Sequence, residues 1–323
     1  MMSKNVICIG EALIDFVCTG IGDCDNPTEV YLKKPGGAPA NVAACIGRLG
    51  GRAEFLGAVG NDAFGTYLVG ELEKFAVATN YVQQVNIPTT LAFVTIQDDG
   101  EREFVFNRGA DGEFLVESFI TAAGCSNSIC HFGSATAFLE GKLKTAYFAL
   151  AEHCASKDIL ISFDPNYRAD LWQDDLPSFI EMCNTFFKLS DMVKVSEEEL
   201  QLLTGEYEME KGCGVIHGYG VKTIFVTRGS NGCYLSTQQN ATTVPAFKIN
   251  PVDTTGAGDA FIGATLFKLS SYTSINAMTF EDLVETVEFA QKVSAYVCEK
   301  LGAMTALPTE YEVSSRQFQI ASS

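Results

Sequence analysis

Short apolar runs alternate with longer amphipathic segments along most of the chain. The runs predict buried strands at 6–10, 53–59, 129–132, 159–163, 192–195 and 223–226. Apolar positions at helical spacing predict helices at 38–49, 67–75, 142–157, 179–189, 259–269 and 283–301. This repeated strand-then-helix order indicates an α/β fold, in which helices cover both faces of a central, twisted, mainly parallel sheet. We therefore expect residues 1–323 to form one three-layer αβα domain.

One segment departs from the strand-then-helix order. Residues 89–108 alternate apolar and polar side chains on either side of an Asp-Asp-Gly-Glu turn at 98–101. Such a pattern predicts a β-hairpin that projects from the α/β body. At the other extreme, the polar residues from Glu310 onwards are predicted to be only loosely structured.

Amino-acid composition indicates which classes of ligand are disfavoured and which compartment the protein suits. The net charge of −18 disfavours nucleic acid and anionic lipid as partners, so a phosphate ligand would need local donors and a metal ion. The 11 cysteines show no Cys-x-x-Cys spacing, and only three histidines are present, which argues against a zinc site. A chain this rich in thiols is typical of the reducing cytoplasm. The N-terminus has no secretory signal pattern, and no apolar run approaches the length of a membrane span.

The segment PVDTTGAGDAF, residues 251–261, carries the most specific chemistry. Glycines at 256 and 258 allow a tight turn whose N–H groups stay uncovered, and a helix follows at once. Backbone N–H groups and the helix dipole together make an anion site there. Asp259, in the first turn, could accept a proton from an attacking hydroxyl, which points to phosphoryl transfer to an alcohol. The structural alternative is a plain joint with a carboxylate that complements the helix dipole.

Six polar residues lie in loops that follow predicted strands or strand-like segments: Asp15, Asn166, Arg168, Glu199, Thr227 and Asp259. In parallel sheets such loops meet at one edge, where ligands bind. Gly10 ends the first strand without opening a Gly-x-Gly-x-x-Gly loop, which disfavours a nicotinamide-dependent dehydrogenase.

Three further candidates have two interpretations each. Asp15 is either an exposed strand residue or a carboxylate that binds sugar hydroxyls. Asn41 is either a plain residue of a helix start or a side chain aimed at a ligand. Arg108 is either a surface cation or a ligand contact at the root of the hairpin. Trp172 is interpreted as a packing residue, and the three histidines receive no role.

Four segments together identify a family. GGAPANVAACIGRLGGRAEFLGAVGNDAFG at 36–65 and DTTGAGDAF at 253–261 resemble the two signatures of the ribokinase-like carbohydrate kinases, the phosphofructokinase-B type. DPNYRADLW at 164–172 and KVSEEELQLLTG at 194–205 resemble segments of fructokinases most, and segments of 2-keto-3-deoxygluconate kinases almost as closely. The resemblance covers essentially the whole chain. It implies a ribokinase-like fold in which residues of about 14–35 and 89–108 form a small β lid, which is often a dimer surface.

The resemblance also implies roles for individual residues. Asp259 would be the catalytic base, beside N–H groups of Gly256, Ala257 and Gly258 that bind the phosphoryl group. The substrate would contact Asp15, Gly36, Gly37, Asn41, Arg108, Asn166 and Arg168, the last two near the phosphates. ATP would lie against Lys194, Thr227 and Gly229. Glu199 would order Mg²⁺ through water, and Asp253 and Thr255, with backbone from 297–306, would hold a monovalent cation such as K⁺.

The implied activity is ATP-dependent phosphorylation of D-fructose at its 6-hydroxyl by a homodimer. The same chemistry on 2-keto-3-deoxygluconate or a nucleoside stays open, as does a catalytically silent sugar-binding relative. Two residues depart from the family pattern. Ser196 replaces a frequent Asn, and the absence of a Glu near Ser134 argues against ribose.

Overall fold

The computed structural model describes residues 3–21, 30–96, 102–121, 125, 127–172, 174–272 and 277–321. In chain order the strands are β1 (Asn5–Ile9), β2 (Leu13–Ile21), β3 (Tyr31–Gly36), β4 (Arg52–Gly60), β5 (Val77–Ala78), β6 (Val82–Val85), β7 (Leu91–Ile96), β8 (Arg102–Asn107), β9 (Ser128–Phe132), β10 (Leu160–Phe163), β11 (Met192–Ser196), β12 (Thr223–Thr227), β13 (Cys233–Thr237) and β14 (Ala241–Val244). The helices are α1 (Ala38–Arg48), α2 (Ala63–Lys74), α3 (Glu117–Thr121), α4 (Lys142–Ser156), α5 (Ala169–Trp172), α6 (Leu176–Leu189), α7 (Glu197–Thr204), α8 (Met209–His217), α9 (Ala257–Leu269), α10 (Phe280–Cys298) and α11 (Glu310–Ser315).

The main sheet confirms the predicted α/β fold. Within the described residues its strand order is β14-β13-β12-β11-β10-β9-β1-β4-β5, with β6 also paired to β4. Every pairing from β12 across to β5 and β6 is parallel, whereas the pairings β12–β13 and β13–β14 are antiparallel. The carboxyl ends of the parallel strands therefore share one edge, which is where ligands bind in such sheets.

The central strand β1 explains the three layers. Its residues Val6 to Ile9 are fully buried, and successive side chains point to opposite faces of the sheet. Val6 and Cys8 join one hydrophobic core with α1, α9 and α10, while Ile7 and Ile9 join the second with α4, α6 and α8. Each face of the sheet is thus covered by its own layer of helices. Trp172 lies in the second core against Phe179, which confirms its role in packing.

A second sheet of four strands has the order β3-β2-β7-β8. Strands β7 and β8 pair antiparallel, as the hairpin pattern predicts; the turn at 98–101 lies outside the described residues. Phe16 of β2 stacks on Phe93 of β7 and meets Phe64 of α2 edge-on, with ring centroids 5.5 and 5.9 Å apart. These rings attach the small sheet to the α/β body. Strand β3 then leads into α1 after the single residue Gly37.

Helix boundaries differ from the predictions where side chains cap them. Helix α2 begins at Ala63 because Asp62 accepts the N–H of Gly65 at 2.8 Å. The expectation of a loose tail from Glu310 is wrong, since α11 starts there. Thr309 and Glu312 form a reciprocal capping box, and Val313 is buried.

The cysteines and the helices bear on compartment. Nine cysteines of the described part are free thiols, all buried, whereas Cys18 is disulfide-bonded. The reduced state expected from the sequence therefore holds for those nine and fails at Cys18. Among the helices that the structure describes, none has the length and apolar character needed to span a bilayer.

Candidate active site

The turn before α9 has the geometry of an anion site. Gly256 caps α9 in the left-handed region, with φ 75°, and a Cβ there would lie 2.5 Å from the Cβ of Ala303. Only glycine fits this position. The first N–H groups of a helix lack acceptors within the helix. One of them, on Ala257, donates to the carbonyl of Thr254 at 3.2 Å, so it is engaged within the turn itself.

Asp253 fixes the turn from behind. Its Oδ1 accepts the N–H and the hydroxyl of Thr255, at 2.9 and 2.5 Å. Its Oδ2 accepts the N–H of Gly302, at 2.9 Å, from the loop that follows α10. The two residues predicted to hold a cation therefore contact each other and the predicted backbone segment 297–306. Carboxylate, hydroxyl and carbonyl oxygens at such a junction suit a hard cation.

Asp259 lies in the first turn of α9, half-buried, next to α1. Asn41 Nδ2 donates to its Oδ2 at 2.8 Å, across 218 positions of sequence. Burial raises the pKa of Asp259, while the hydrogen bond from Asn41 and the charges of Arg168 and Lys194 oppose that rise. Asn41 itself is buried, and its Oδ1 has no partner among the residues that the structure describes. An unpaired buried acceptor beside a carboxylate is a position for a ligand hydroxyl.

Lys194 brings a buried positive charge to the glycine turn. A Cβ on Gly258 would lie 3.2 Å from its Nζ, so the ammonium group faces the start of α9. Nζ forms an ion pair with Asp164 at 3.0 Å, and both side chains are at most 9% exposed. Burial alone would lower the pKa of Lys194, but attraction to Asp164 and Glu199 outweighs it and leaves that pKa raised. Lys194 is therefore a fixed cation, suited to a phosphate.

Asp164 is a site residue that the sequence did not single out. It follows β10 directly, and burial raises its pKa to about 6, with Lys194 opposing the rise. The Asp-Pro-Asn sequence after a predicted strand was the available signal. Two residues on, Asn166 has a positive φ of 49° and donates from Nδ2 to the carbonyl of Gly133 at 2.7 Å. This contact holds the loops after β9 and β10 together.

Asp15 lies close to the predicted sugar glycines but not where the sequence placed it. It is a half-buried residue within β2, and not in a loop after β1. A Cβ on Gly36 would overlap its Oδ2, so glycine is needed there for the carboxylate to fit. Gly37, with φ 99°, likewise has no room for a Cβ, because that atom would lie 2.4 Å from the carbonyl oxygen of Glu11. Its own carbonyl accepts the N–H of Asn41 at 2.9 Å.

Glu199 is anchored by backbone donors. Its Oε2 accepts the N–H of Ser196 and its Oε1 accepts the N–H of Tyr167, both at 2.8 Å. The Ser196 hydroxyl oxygen in turn accepts the N–H of Glu199, which completes a capping box at α7. Ser196 thus caps this helix, a role that Asn also fills. Tyr167 stands between Asn166 and Arg168, so Glu199 also positions the loop that carries them.

A cavity of about 500 Å³ opens beside the glycine turn. Its lining comes from the turn, from the residues after β12, from 246–251 and from α10; it includes Thr227, Gly229, Phe247, Ile249, Ala257, Gly258, Gln291, Ser294 and Cys298. This volume lies within the ~300–1,000 Å³ of small-molecule sites. Thr227 and Gly229 therefore share one cavity with Ala257 and Gly258 of the turn.

Arg108 occupies a structural position. Its guanidinium donates to Asp111 at 3.1 Å, to the carbonyl of Thr136 at 3.2 Å, and to the carbonyl of Glu140. Asp111 is fully buried. These contacts hold the hairpin root against the loop after β9.

Glu11 is a second residue that sequence reasoning missed. It is fully buried after β1 and accepts the N–H groups of Ala38 and Ala135, at 3.2 and 3.3 Å, and the hydroxyl of Ser134. Burial raises its pKa to about 7, although the bond from Ser134 opposes this. Glu11 ties the start of α1 to the loop after β9, under the residues of the predicted sugar site.

Comparisons with known proteins agree with this architecture. The pfkB family of carbohydrate kinases matches residues 3–310. The chain is 37% identical over 320 residues to a protein named probable fructokinase-4 of Arabidopsis thaliana, covering 96% of this chain and 95% of that one. A fructokinase from Xylella fastidiosa, solved with bound ATP, superposes with a TM-score of 0.85 at 30% identity, covering 97% of this chain and 98% of that chain.

A second solved structure is a double mutant of the fructokinase from Vibrio cholerae O395, with fructose, ADP and a potassium ion bound. It superposes with a TM-score of 0.83 at 30% identity, covering 98% of this chain and 99% of that chain. The family match and the relatives extend over nearly the whole chain. This protein therefore belongs to the pfkB family of carbohydrate kinases and is a sugar phosphotransferase.

Proposed function

We propose that this protein transfers the γ-phosphoryl group of ATP to the 6-hydroxyl of D-fructose, with Asp259 as the base. The observation that carries the proposal is the position of Asp259. Its carboxylate accepts a hydrogen bond from Asn41, a residue predicted to contact the sugar, and Lys194 faces the glycine turn at the start of the same helix. A base between a sugar site and an anion site suits attack of a hydroxyl on a phosphate.

The chemical step uses groups of this chain at each stage. The 6-oxygen of the sugar attacks the γ-phosphorus as its proton passes to Asp259, and the bond to the β–γ bridging oxygen breaks, releasing ADP. The N–H groups at the start of α9 and the ammonium group of Lys194 stabilise the charge on the transferring oxygens. Arg168, whose charge acts on Asp259, would neutralise a further part of it.

Two cations complete the proposal. Mg²⁺ would neutralise the phosphates of ATP. Both carboxylate oxygens of Glu199 already accept N–H bonds, so this residue fits a water-mediated role better than direct coordination. Asp253, Thr255 and the backbone near Gly302 would hold the monovalent cation, and the potassium-bound Vibrio cholerae relative supports K⁺. The cavity lined by Thr227, Gly229 and Phe247 would take the adenine and ribose.

Fructose is favoured over an acidic sugar by the state of Arg108. A 2-keto-3-deoxygluconate kinase must bind a carboxylate. That requires a cationic side chain whose N–H groups are not already used within the protein. The guanidinium of Arg108 instead donates to Asp111 and to two carbonyls. Lys33, on the small sheet, lies over the ring of Tyr67, with Nζ 3.7 Å from its centroid. A neutral sugar bound through hydroxyls to Asp15 and Asn41 matches this arrangement better.

A coupled assay of ADP release tests the proposal across fructose, 2-keto-3-deoxygluconate, ribose, adenosine and fructose 6-phosphate. We expect a clear preference for fructose and a 6-phosphate product by NMR. Asp259→Asn should bind fructose nearly normally but lose about 10³-fold or more in kcat, because base and positioning are lost together. The exposed Asp174→Asn is the matched control. Preference for another sugar would overturn the substrate, and an active Asp259→Asn enzyme would overturn the mechanism.

The small sheet would act as a lid and as the surface of a homodimer. It carries Asp15, and its closure over a bound sugar would exclude water and so suppress ATP hydrolysis. Tyr31 and Val105 are exposed on one of its faces, and Leu32 is exposed on the other. A cytoplasmic location, expected from the many thiols, remains a prediction.

A further inference from the structure

Three cysteine side chains meet behind β9, in the second core. Cys130 lies in the middle of β9, Cys154 lies in the last turn of α4, and Cys125 precedes β9. All three are at most 1% exposed. Their sulfur atoms all lie within 4.8 Å of one another, and the Cys130 and Cys154 sulfurs are 3.3 Å apart. The three positions are 5 to 29 residues apart, so they show no Cys-x-x-Cys spacing by which the sequence could have indicated a metal site.

The sulfur triangle has the size of a thiolate metal site. A metal–sulfur bond of ~2.3 Å places neighbouring sulfurs ~3.8 Å apart in a tetrahedral site and ~4.0 Å apart in a planar one. One distance here is 3.3 Å and the other two are at most 4.8 Å. Bringing each pair of sulfurs to ~3.8 Å would move a sulfur by about half an ångström at most.

The surroundings select the type of ion. The cluster belongs to a core of apolar side chains that includes Phe119, Leu150 and Ala151. Hard cations need oxygen ligands, whereas three sulfurs in an apolar setting suit a thiophilic ion. Three thiolates around a divalent ion leave a net charge of −1, so the ion removes most of the cost of burying the thiolates.

We propose that Cys125, Cys130 and Cys154 form a binding site for one thiophilic divalent metal ion of the Zn²⁺ and Cd²⁺ class. Binding releases the three thiol protons and forms three metal–sulfur bonds, with no oxidation or reduction. The ion joins the segment before β9 to the end of α4, across the back of the sheet. It lies apart from Asp259 and Lys194, so its role is to stabilise this layer rather than to take part in phosphoryl transfer.

Cd²⁺ titration of the full-length protein tests the site. The protein is freed of metal with a chelator, kept reduced with a phosphine, and followed by the ultraviolet thiolate-to-cadmium absorption band. We expect saturation at one Cd²⁺ per chain and a thermal midpoint that rises by a few degrees with Cd²⁺ or Zn²⁺, because both ions bind only the folded site. A stoichiometric ultraviolet band without any shift of the midpoint would place the ion on other thiols and overturn the proposal.

Single substitutions assign the ligands. Cys125→Ala, Cys130→Ala and Cys154→Ala should each weaken Cd²⁺ binding by more than the ~10–100-fold that loss of an outer-shell partner costs. The control, Cys183→Ala, removes a thiol of equal burial from α6 and should bind Cd²⁺ normally. If one of the three ligand variants does not fold, Cd²⁺ binding by the other two tests the assignment.

Two results would overturn the proposal. One is equal Cd²⁺ binding by the three variants and the control. The other is a mass two hydrogens lighter in protein isolated without reductant, with the bond mapped to Cys130 and Cys154, together with no metal uptake after reduction. That pair would then be a disulfide and not a metal site.

Discussion

The hydrogen bond between Asn41 and Asp259 should set the pH at which the enzyme becomes active. A base works only when ionised, and burial already raises the pKa of Asp259. Asn41→Ala removes a bond that lowers this pKa, so the acidic limb of kcat/KM should move to higher pH. On the plateau, kcat/KM should fall by about tenfold or more, since hydrogen bonds to charged groups contribute ~1.5–3 kcal/mol.

The measurement is a pH profile of kcat/KM for fructose, with wild type and Asn41→Ala side by side. A variant that loses affinity for sugar but keeps the wild-type acidic limb would show that Asn41 contacts substrate without tuning the base.

Glu11 should make stability depend on pH. Its pKa is raised to about 7 by burial, so the folded state holds its proton while the unfolded chain releases it near the ordinary 4.5. The stabilisation is present below pH 4.5 and is lost as the pH rises through about 7. Glu11→Gln keeps the shape without titrating. The unfolding free energy of wild type, relative to this variant, should therefore fall by up to about 3 kcal/mol between pH 5 and 8.

Urea denaturation at several pH values measures this difference. The exposed Glu198→Gln serves as control and should run parallel to wild type. A Glu11→Gln variant that also runs parallel would contradict a protonated Glu11.

Residue roles were predictable where the chemistry is local in sequence. Gly256, Gly258 and Asp259 are adjacent in the chain, so a turn, an anion site and a carboxylate could be inferred together. Glu11 could not, because its bond to Ser134 spans 123 positions and nothing near Glu11 indicates it. Arg108 shows the reverse case. Its charge was visible, but its acceptors, Asp111 and the carbonyls of Thr136 and Glu140, are brought to it by the fold.

At the scale of elements, the capping box of α7 should link helix stability to the metal site. Ser196→Ala should cost about 0.5–2 kcal/mol of unfolding free energy, the range for lost caps. By loosening the first turn that carries Glu199, it should also raise the Mg²⁺ concentration needed for half-maximal activity, although the two backbone N–H bonds to the Glu199 carboxylate remain. Ser196→Asn should restore both quantities, because Asn caps helices as well as Ser. Loss of both in Ser196→Asn would mean that the hydroxyl has another function.

Element types were predictable from periodicity, but their ends depended on side-chain caps. Helix α2 starts four residues before its predicted start at 67, where Asp62 is the cap, and α11 exists where polar composition suggested a loose tail. In both cases a single capping Asp or Thr determines where the helix begins, and the pattern of hydrophobic positions contains no information about that residue. Asp15 was misplaced because a strand of the small sheet follows β1 almost at once.

At the scale of the whole molecule, the proposed dimer predicts a change of mass. Tyr31→Lys and Val105→Lys put charges on one face of the small sheet, at residues 39% and 61% exposed. If this side pairs two copies, both variants should be monomers by light scattering and should hydrolyse more ATP without sugar. The control is Val215→Lys on α8. A wild type that is already a monomer would exclude this surface as an interface.

The double burial of β1 has a consequence for the accuracy of the site. Its residues Val6 to Ile9 are apolar on both faces, so sliding the strand by one residue would exchange the two cores without exposing apolar surface. Hydrophobicity therefore does not define the register of the central strand. Polar contacts near its two ends can define the register. Asn5 donates to Glu54 on the neighbouring β4 at 3.2 Å, and Glu11, just after the strand, accepts hydrogen bonds from Ala38 and Ser134. These few hydrogen bonds align the strand, and through it they align α1, Asn41 and Asp259.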